Sequence, residues 1–316
     1  MQHYSNKATK KNINFEKKSP LKVDYQDFMI FFTFLLFWIS IQFGQIVEDS
    51  IAYVIVLTVG VIHGSNDFTI LRKQQNSTSS FMKSTGFYLF LMLLCIASYL
   101  INSFIAILFF VTLSSYHFGE QHLEDKITGS KILKIFSYVF YGLLVFSLIF
   151  IENMSDVDKI MLNLTGSLIP EIWIQSILAC SFLFLIVSYV YQLLRKLPSK
   201  IHILRELFYL ALLYLVFKTS SLILGFAIYF VLWHSIPSIL DQAKFLSGGK
   251  SKKAIFNYFK TAFIYWLISI IGLLITYNYL SENLFSSVIF LVLFAVTAPH
   301  VWVMNGMKNS SLPSKD

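Results

Sequence analysis

FIAILFFVTLSSYHFGEQHLE, residues 104–124, is the stretch on which the fold turns. Ten residues, apolar but for Thr112, lead without a break towards two histidines and two glutamates. Such a run suits a helix inside a bilayer, where ionisable groups are costly and are kept for a purpose. His117 and Glu120 are therefore candidate functional residues, whereas His122, further along, is expected at the surface by the membrane edge.

The rest of the chain has the same character. Its 316 residues are 56% hydrophobic and 17% aromatic, with 13% charged, about half the charge of an ordinary soluble domain. Apolar segments recur at 28–46, 50–71, 86–101, 104–119, 132–151, 171–194, 203–217, 221–240, 256–279 and 285–307. Most have the length that spans a hydrocarbon core about 30 Å thick as a helix. The expected fold is all-α, a polytopic integral membrane bundle of about ten transmembrane helices. Residues 28–307 form one transmembrane domain, between a polar lysine-rich tail (1–27) and a short tail (308–316). Residues 1–24 hold six lysines and no apolar periodicity, which predicts a mobile tail on the membrane surface. The first apolar segment is too long for a signal-peptide core and lacks a small-residue cleavage pattern after it, so it is expected to remain.

The net charge of +8 does not indicate nucleic acid, because the lysines are scattered through short loops and form no basic stripe. They report topology instead. With the N-terminal tail inside, all of the 25 lysines and arginines but Lys159 and Lys218 fall on inner segments. That is the asymmetry expected of ten crossings with both termini cytoplasmic. The chain is thus expected in the inner (cytoplasmic) membrane as a multi-pass protein. Cys95 and Cys180 lie in separate apolar segments, as small membrane hydrophobes rather than a metal motif or a disulfide.

Of the seven histidines, His3 lies in the tail and His202 in an inner loop. The other five fall in VIHGSND (61–67), SSYHFGEQH (114–122), LWHSIPS (232–238) and TAPHVWV (297–303). These are the second, fourth, eighth and tenth segments, all running from outside to inside. His63, His234 and His300 precede the next charge at the inner surface by nine, seven and eight residues. At 1.5 Å per residue they lie roughly 10 to 13 Å within their helices, and His117 slightly shallower. Four imidazoles are thus expected in one layer. Neutral imidazoles suit zinc, copper, nickel or iron, and softness does not choose among them.

Asp67 stands at i+4 from His63 and Glu120 at i+3 from His117, spacings that share a helix face. Either carboxylate is placed to ligate, to accept the second ring N–H of its histidine, or to be solvated at a helix end. Gly60, Gly64, Gly119, Pro237 and Pro299 flank the histidines and suit close packing and freed carbonyls. On these residues alone, a transporter with a histidine proton relay and a haem-binding protein remain open alongside an oxygenase. A two-iron hydroxylase needs a larger, closely paired set of histidines than this chain has.

The motifs HGSND (63–67), YHFGEQH (116–122), WHSIPS (233–238) and PH (299–300) resemble, in order and spacing, the Brp/Blh family of bacterial and archaeal membrane proteins. The resemblance covers about residues 50–307. It implies a dioxygenase that uses non-haem Fe(II) and O2 to cleave β-carotene at its central double bond into two molecules of retinal, with a retinal-consuming rhodopsin as a further partner. It also implies His63, His117 and His234 as iron ligands. One departure stands out: the family usually carries a second histidine one turn after the third ligand, and here that place is Ser238. His300, or failing it His122, is then expected to complete the set. Phe68, Tyr116, Phe118, Tyr229, Phe230, Trp233 and Trp302 are candidates to wall an apolar tunnel for the hydrocarbon.

Overall fold

The computed structural model describes residues 25–249, 251–280 and 282–311, and these contain helices and no strands. The expected tail over 1–24 lies outside the described residues. The helices are α1 (Tyr25–Gln42), α2 (Gln45–Gln74), α3 (Thr78–Ile101), α4 (Ser103–Leu123), α5 (Lys131–Glu152), α6 (Met154–Thr165), α7 (Glu171–Leu194), α8 (Ile203–Thr219), α9 (Leu222–Ser247), α10 (Lys252–Tyr279) and α11 (Glu282–Ser311). Nine of them are long and apolar enough to cross a membrane. The expected segment 203–217 corresponds to α8, whose 17 residues rise about 26 Å, the lower limit for a crossing.

The apolar run 171–194 coincides with α7, but several other helices extend beyond their runs. Helix α3 begins eight residues before the apolar segment at 86, because the Ser77 hydroxyl accepts from the Ser80 N–H (3.1 Å) and caps its polar first turns. Helix α6 has no counterpart among the expected segments. It is short, it buries Val157, Met161 and Leu164 on one face, and Gly166 ends it in the left-handed region (φ 70°). At 12 residues it is too short to span.

Four helices carry the histidines: α2, α4, α9 and α11. They point the same way, because polar contacts join their C-terminal ends into a ring. Lys73 of α2 donates to the Phe245 and Leu246 carbonyls of α9 (2.6 and 2.9 Å). On α4, Gln121 donates to Asp241 of α9 (3.0 Å). Lys308 of α11 pairs with Glu120 and Glu124 on α4 (3.1 and 2.5 Å), and Gln74 of α2 donates to the Val303 carbonyl of α11 (3.1 Å). Each polar side chain thus meets a partner on a neighbouring helix, which is how such groups are accommodated at low dielectric. Beside the ring, α4 and α5 cross at backbone contact. A Cβ on Gly119 would lie 1.9 Å from the Tyr138 carbonyl oxygen, and one on Gly142 would lie 2.1 Å from that of Ser115. Only glycine permits this approach.

Candidate metal centre

Two of the histidines sit on or just beyond irregular turns. A π-helical turn occupies Val56–Gly60, three residues before His63, and a second spans Tyr229–Ser235, which includes His234. Such turns insert a residue, rotate the helix beyond them, and recur at functional sites. Pro237 favours the second by withdrawing the N–H that the Trp233 carbonyl would take in an α-helix. Side chains also serve carbonyls within these turns: Trp266 donates to Leu57 (2.7 Å), Ser235 to Phe230 (2.8 Å) and Tyr25 to Leu232.

The imidazoles meet in the interior. His63, His117, His234 and His300 are 4%, 3%, 1% and 5% exposed. Ring centroids lie 4.5 Å apart for His63–His300, 4.6 Å for His117–His234, 4.9 Å for His63–His234 and 5.2 Å for His117–His300. One ring nitrogen from each of His63, His117 and His234 lies within 4.8 Å of the others. Nitrogens about 2 Å from a shared ion stand roughly 3 to 4 Å apart, so small ring rotations close the gap. Nδ1 of His63, both nitrogens of His117 and of His234, and Nε2 of His300 are buried without a hydrogen-bond partner. Buried polar groups in proteins are as a rule partnered, each orphan costing about 1–3 kcal/mol, and here six orphaned nitrogens share one cluster. A cation that accepts those lone pairs removes the cost, and the donor set therefore fits a metal ion.

Both carboxylates take partners that their helical spacing did not indicate. Asp67 does not pair with His63; its Oδ1 lies 2.8 Å from His300 Nδ1, and its Oδ2 accepts from the Tyr88 hydroxyl (3.0 Å). The i,i+4 expectation presumed a continuous helix, but the α-helix stops at Gly64 and resumes at Asp67. Glu120 does not orient His117. Its carboxylate takes the Tyr116 hydroxyl (2.9 Å) and the Lys308 ammonium.

His122 is no surface residue. Its ring stacks on Tyr141 at 4.3 Å and 8°, and its Nε2 lies 2.7 Å from Glu206 and 2.9 Å from Lys126. Burial pushes the Lys126 ammonium down from its ordinary value, while Glu206 beside it (2.7 Å) pulls it back. Ser238 is buried and accepts from Gln242 (3.1 Å), whose amide also donates to the His63 carbonyl (3.1 Å). The Tyr258 hydroxyl meets the same carbonyl (3.1 Å). The position therefore belongs to a clamp on the His63 backbone.

Of the seven candidate tunnel aromatics, Phe118 and Phe230 lie against the imidazoles: Phe118 is 4.5 Å from His234, and Phe230 is 5.9 Å from His234 and 6.2 Å from His63. Trp233 donates instead to Thr33, and Trp302 meets Phe87 edge-on. Sequence reading missed Tyr88, Gln242, Tyr258 and Trp266. Tyr88, Tyr258 and Trp266 lie within apolar segments and Gln242 two residues beyond one, with no motif to mark any of them.

The family model described as beta-carotene 15,15'-dioxygenase matches residues 54–308, most of the chain and all four histidine-bearing segments. The chain belongs to that family. No curated protein and no solved structure matches.

Proposed function

We propose that this member of the beta-carotene 15,15'-dioxygenase family cleaves β-carotene at its central double bond with O2, giving two molecules of all-trans-retinal. In this reading an Fe(II) centre is held by His63, His117 and His234, with His300 in place of the histidine missing at Ser238. The observation that carries it is the set of buried, unpartnered ring nitrogens facing one another. Neutral imidazoles and no thiolate suit iron, though they do not exclude zinc. Bound there, iron would supply O2 activation beside an alkene.

The chain's own residues do the rest. Asp67, itself fixed by Tyr88, accepts a hydrogen bond from the Nδ1–H of His300 and so leaves the Nε2 lone pair facing the other rings. Gln242 and Tyr258 hold the His63 carbonyl and with it the rotation of that ring. Phe118 and Phe230 supply an apolar wall that excludes water and accepts a hydrocarbon. A carotenoid partitions into lipid, which suits a site placed within a helical bundle that spans the bilayer. The lysine distribution supports both termini in the cytoplasm, and a retinal-consuming rhodopsin would use the product.

Expression in bacteria that accumulate β-carotene tests the reading, with pigment and retinal separated by chromatography beside a His63→Ala control. Orange colour should be lost and retinal should appear, and neither should happen in the control. Unchanged carotene with folded protein in the membrane would reject β-carotene as substrate, and a red haem absorbance on purification would favour the binding-protein alternative.

A further inference from the structure

A cleft lies outside the histidine cluster. It has a volume of about 960 Å³ and opens where α2 and α9 end and α3 and α10 begin. This is the end of the bundle where the four-helix ring is tied. Its lining includes Arg72, Lys73 and Lys260 and no carboxylate.

The three cations are not equally occupied. The Lys73 ammonium is engaged by the last carbonyls of α9. Arg72 and Lys260 are exposed, and neither has a carboxylate partner among the described residues. The Arg72 guanidinium carbon sits 5.4 Å from the centre of the Phe81 ring. Stacking on an aromatic face steadies a guanidinium and leaves its N–H edge free for an oxyanion. Thr69, Asn257 and Thr261 add hydroxyl and amide groups to the wall. Further along, Phe68 and Tyr265 (6.2 Å between rings) make an apolar side.

A cationic mouth with polar donors and an apolar flank, at the end of a membrane bundle, matches an amphiphile with an anionic head. We propose that this cleft binds an anionic phospholipid, its headgroup phosphate held by Arg72 and Lys260 and an acyl chain lying along Phe68 and Tyr265. Juxtamembrane basic residues attract anionic lipid, and the cleft gives that attraction a shaped site. The lining includes the buried Tyr258, whose hydroxyl bonds the His63 carbonyl and whose own carbonyl accepts from Asn66 (3.0 Å). A seated lipid therefore braces α10 against the segment that carries His63. The proposal stands independently of the oxygenase reading.

Native mass spectrometry of the full-length protein, released from bilayers of mixed phosphatidylglycerol and phosphatidylcholine, tests it. Phosphatidylglycerol should be retained selectively. Arg72→Gln/Lys260→Gln should cut that selective retention by roughly tenfold or more, as expected for removal of two membrane-surface cations. Lys131→Gln/Lys134→Gln, at the start of α5, should leave it unchanged. Equal retention of phosphatidylcholine, or full retention by the first double variant, overturns the proposal, as does displacement of the lipid by millimolar inorganic phosphate, which would mark a site for free phosphate. Should the double variant fail to fold, a photoactivatable phosphatidylglycerol on the unmodified protein decides the matter. Adducts within 68–73, 246–247 and 257–265 or on Phe81 support the site, and adducts confined elsewhere refute it.

Discussion

His117 and His122 stand five residues apart on one helix and live in opposite circumstances. His117 has two buried ring nitrogens and no partner for either, in a nest of three other imidazoles. His122 is satisfied by Glu206, Lys126 and the face of Tyr141. In the second arrangement the Lys126 and Glu206 charges are paired and the stacked ring adds packing. The first is costly until something accepts its lone pairs. Burial and histidine content do not separate a structural ion pair from a binding site, but several unpartnered ring nitrogens facing one another do.

Substitutions can break that comparison. Replacing His63, His117 or His234 by Ala should have the largest effect, lowering retinal formation at least about a hundredfold, beyond what loss of an outer-shell partner costs. Bound iron, read by elemental analysis of the purified protein, should fall with it. Iron content that survives all three single substitutions would remove these residues from the metal. Chelation of the unmodified protein should likewise abolish activity, with Fe(II) restoring it and Zn(II) failing to do so.

Asp67→Asn tests whether the His300 contact is part of the centre. Metal affinity should drop about 10- to 100-fold, and Tyr88→Phe, which removes one hydrogen bond to that carboxylate, should do less. Tyr88→Phe matching Asp67→Asn would mean that the tyrosine matters through packing rather than through the carboxylate.

Gly119 lies between the two clusters and sharpens the contrast. Gly119→Ala places a methyl against the Tyr138 carbonyl, so stability should fall by about 2 kcal/mol or more as α4 and α5 separate. Thermal unfolding in detergent measures this, and an unchanged midpoint would contradict the close crossing. The smallest effect on chemistry should come from His122→Ala. It leaves the Lys126–Glu206 pair in place, so retinal formation should stay within about threefold of the unmodified protein, under 1 kcal/mol at the transition state. A collapse comparable to that of His117→Ala would merge the two clusters into one functional unit.

Much of this was legible in the chain. The apolar segments, from 28–46 to 285–307, each correspond to a helix, because hydropathy over a helix length is a local property that the bilayer enforces on every segment alike. The common depth of His63, His234 and His300, with His117 slightly shallower, came from counting residues to the next charge, since helical rise is uniform. The partners of Asp67 and Glu120 could not be counted in this way. Face-sharing by i,i+4 spacing fails at the break between Gly64 and Asp67, and a contact such as Glu120 to Lys308 joins residues far apart in sequence. Helix α6 escaped notice for a different reason: it is polar on most of its surface and spans nothing.

The sequence by itself determined the class of protein, the order of its long helices, and the layer at which its imidazoles lie, all of which depend on composition and rise along one axis. Only the tertiary structure decided how each helix is turned about that axis and which neighbour it meets. Each residue added to or dropped from a turn rotates the remainder of the helix by about 100°, and the π turns before His63 and around His234 act in this way. That rotation leads His63 to His300 and His234 to His117, whereas on the unbroken α4 the five-residue offset from His117 turns His122 to Tyr141, Glu206 and Lys126 as a structural residue.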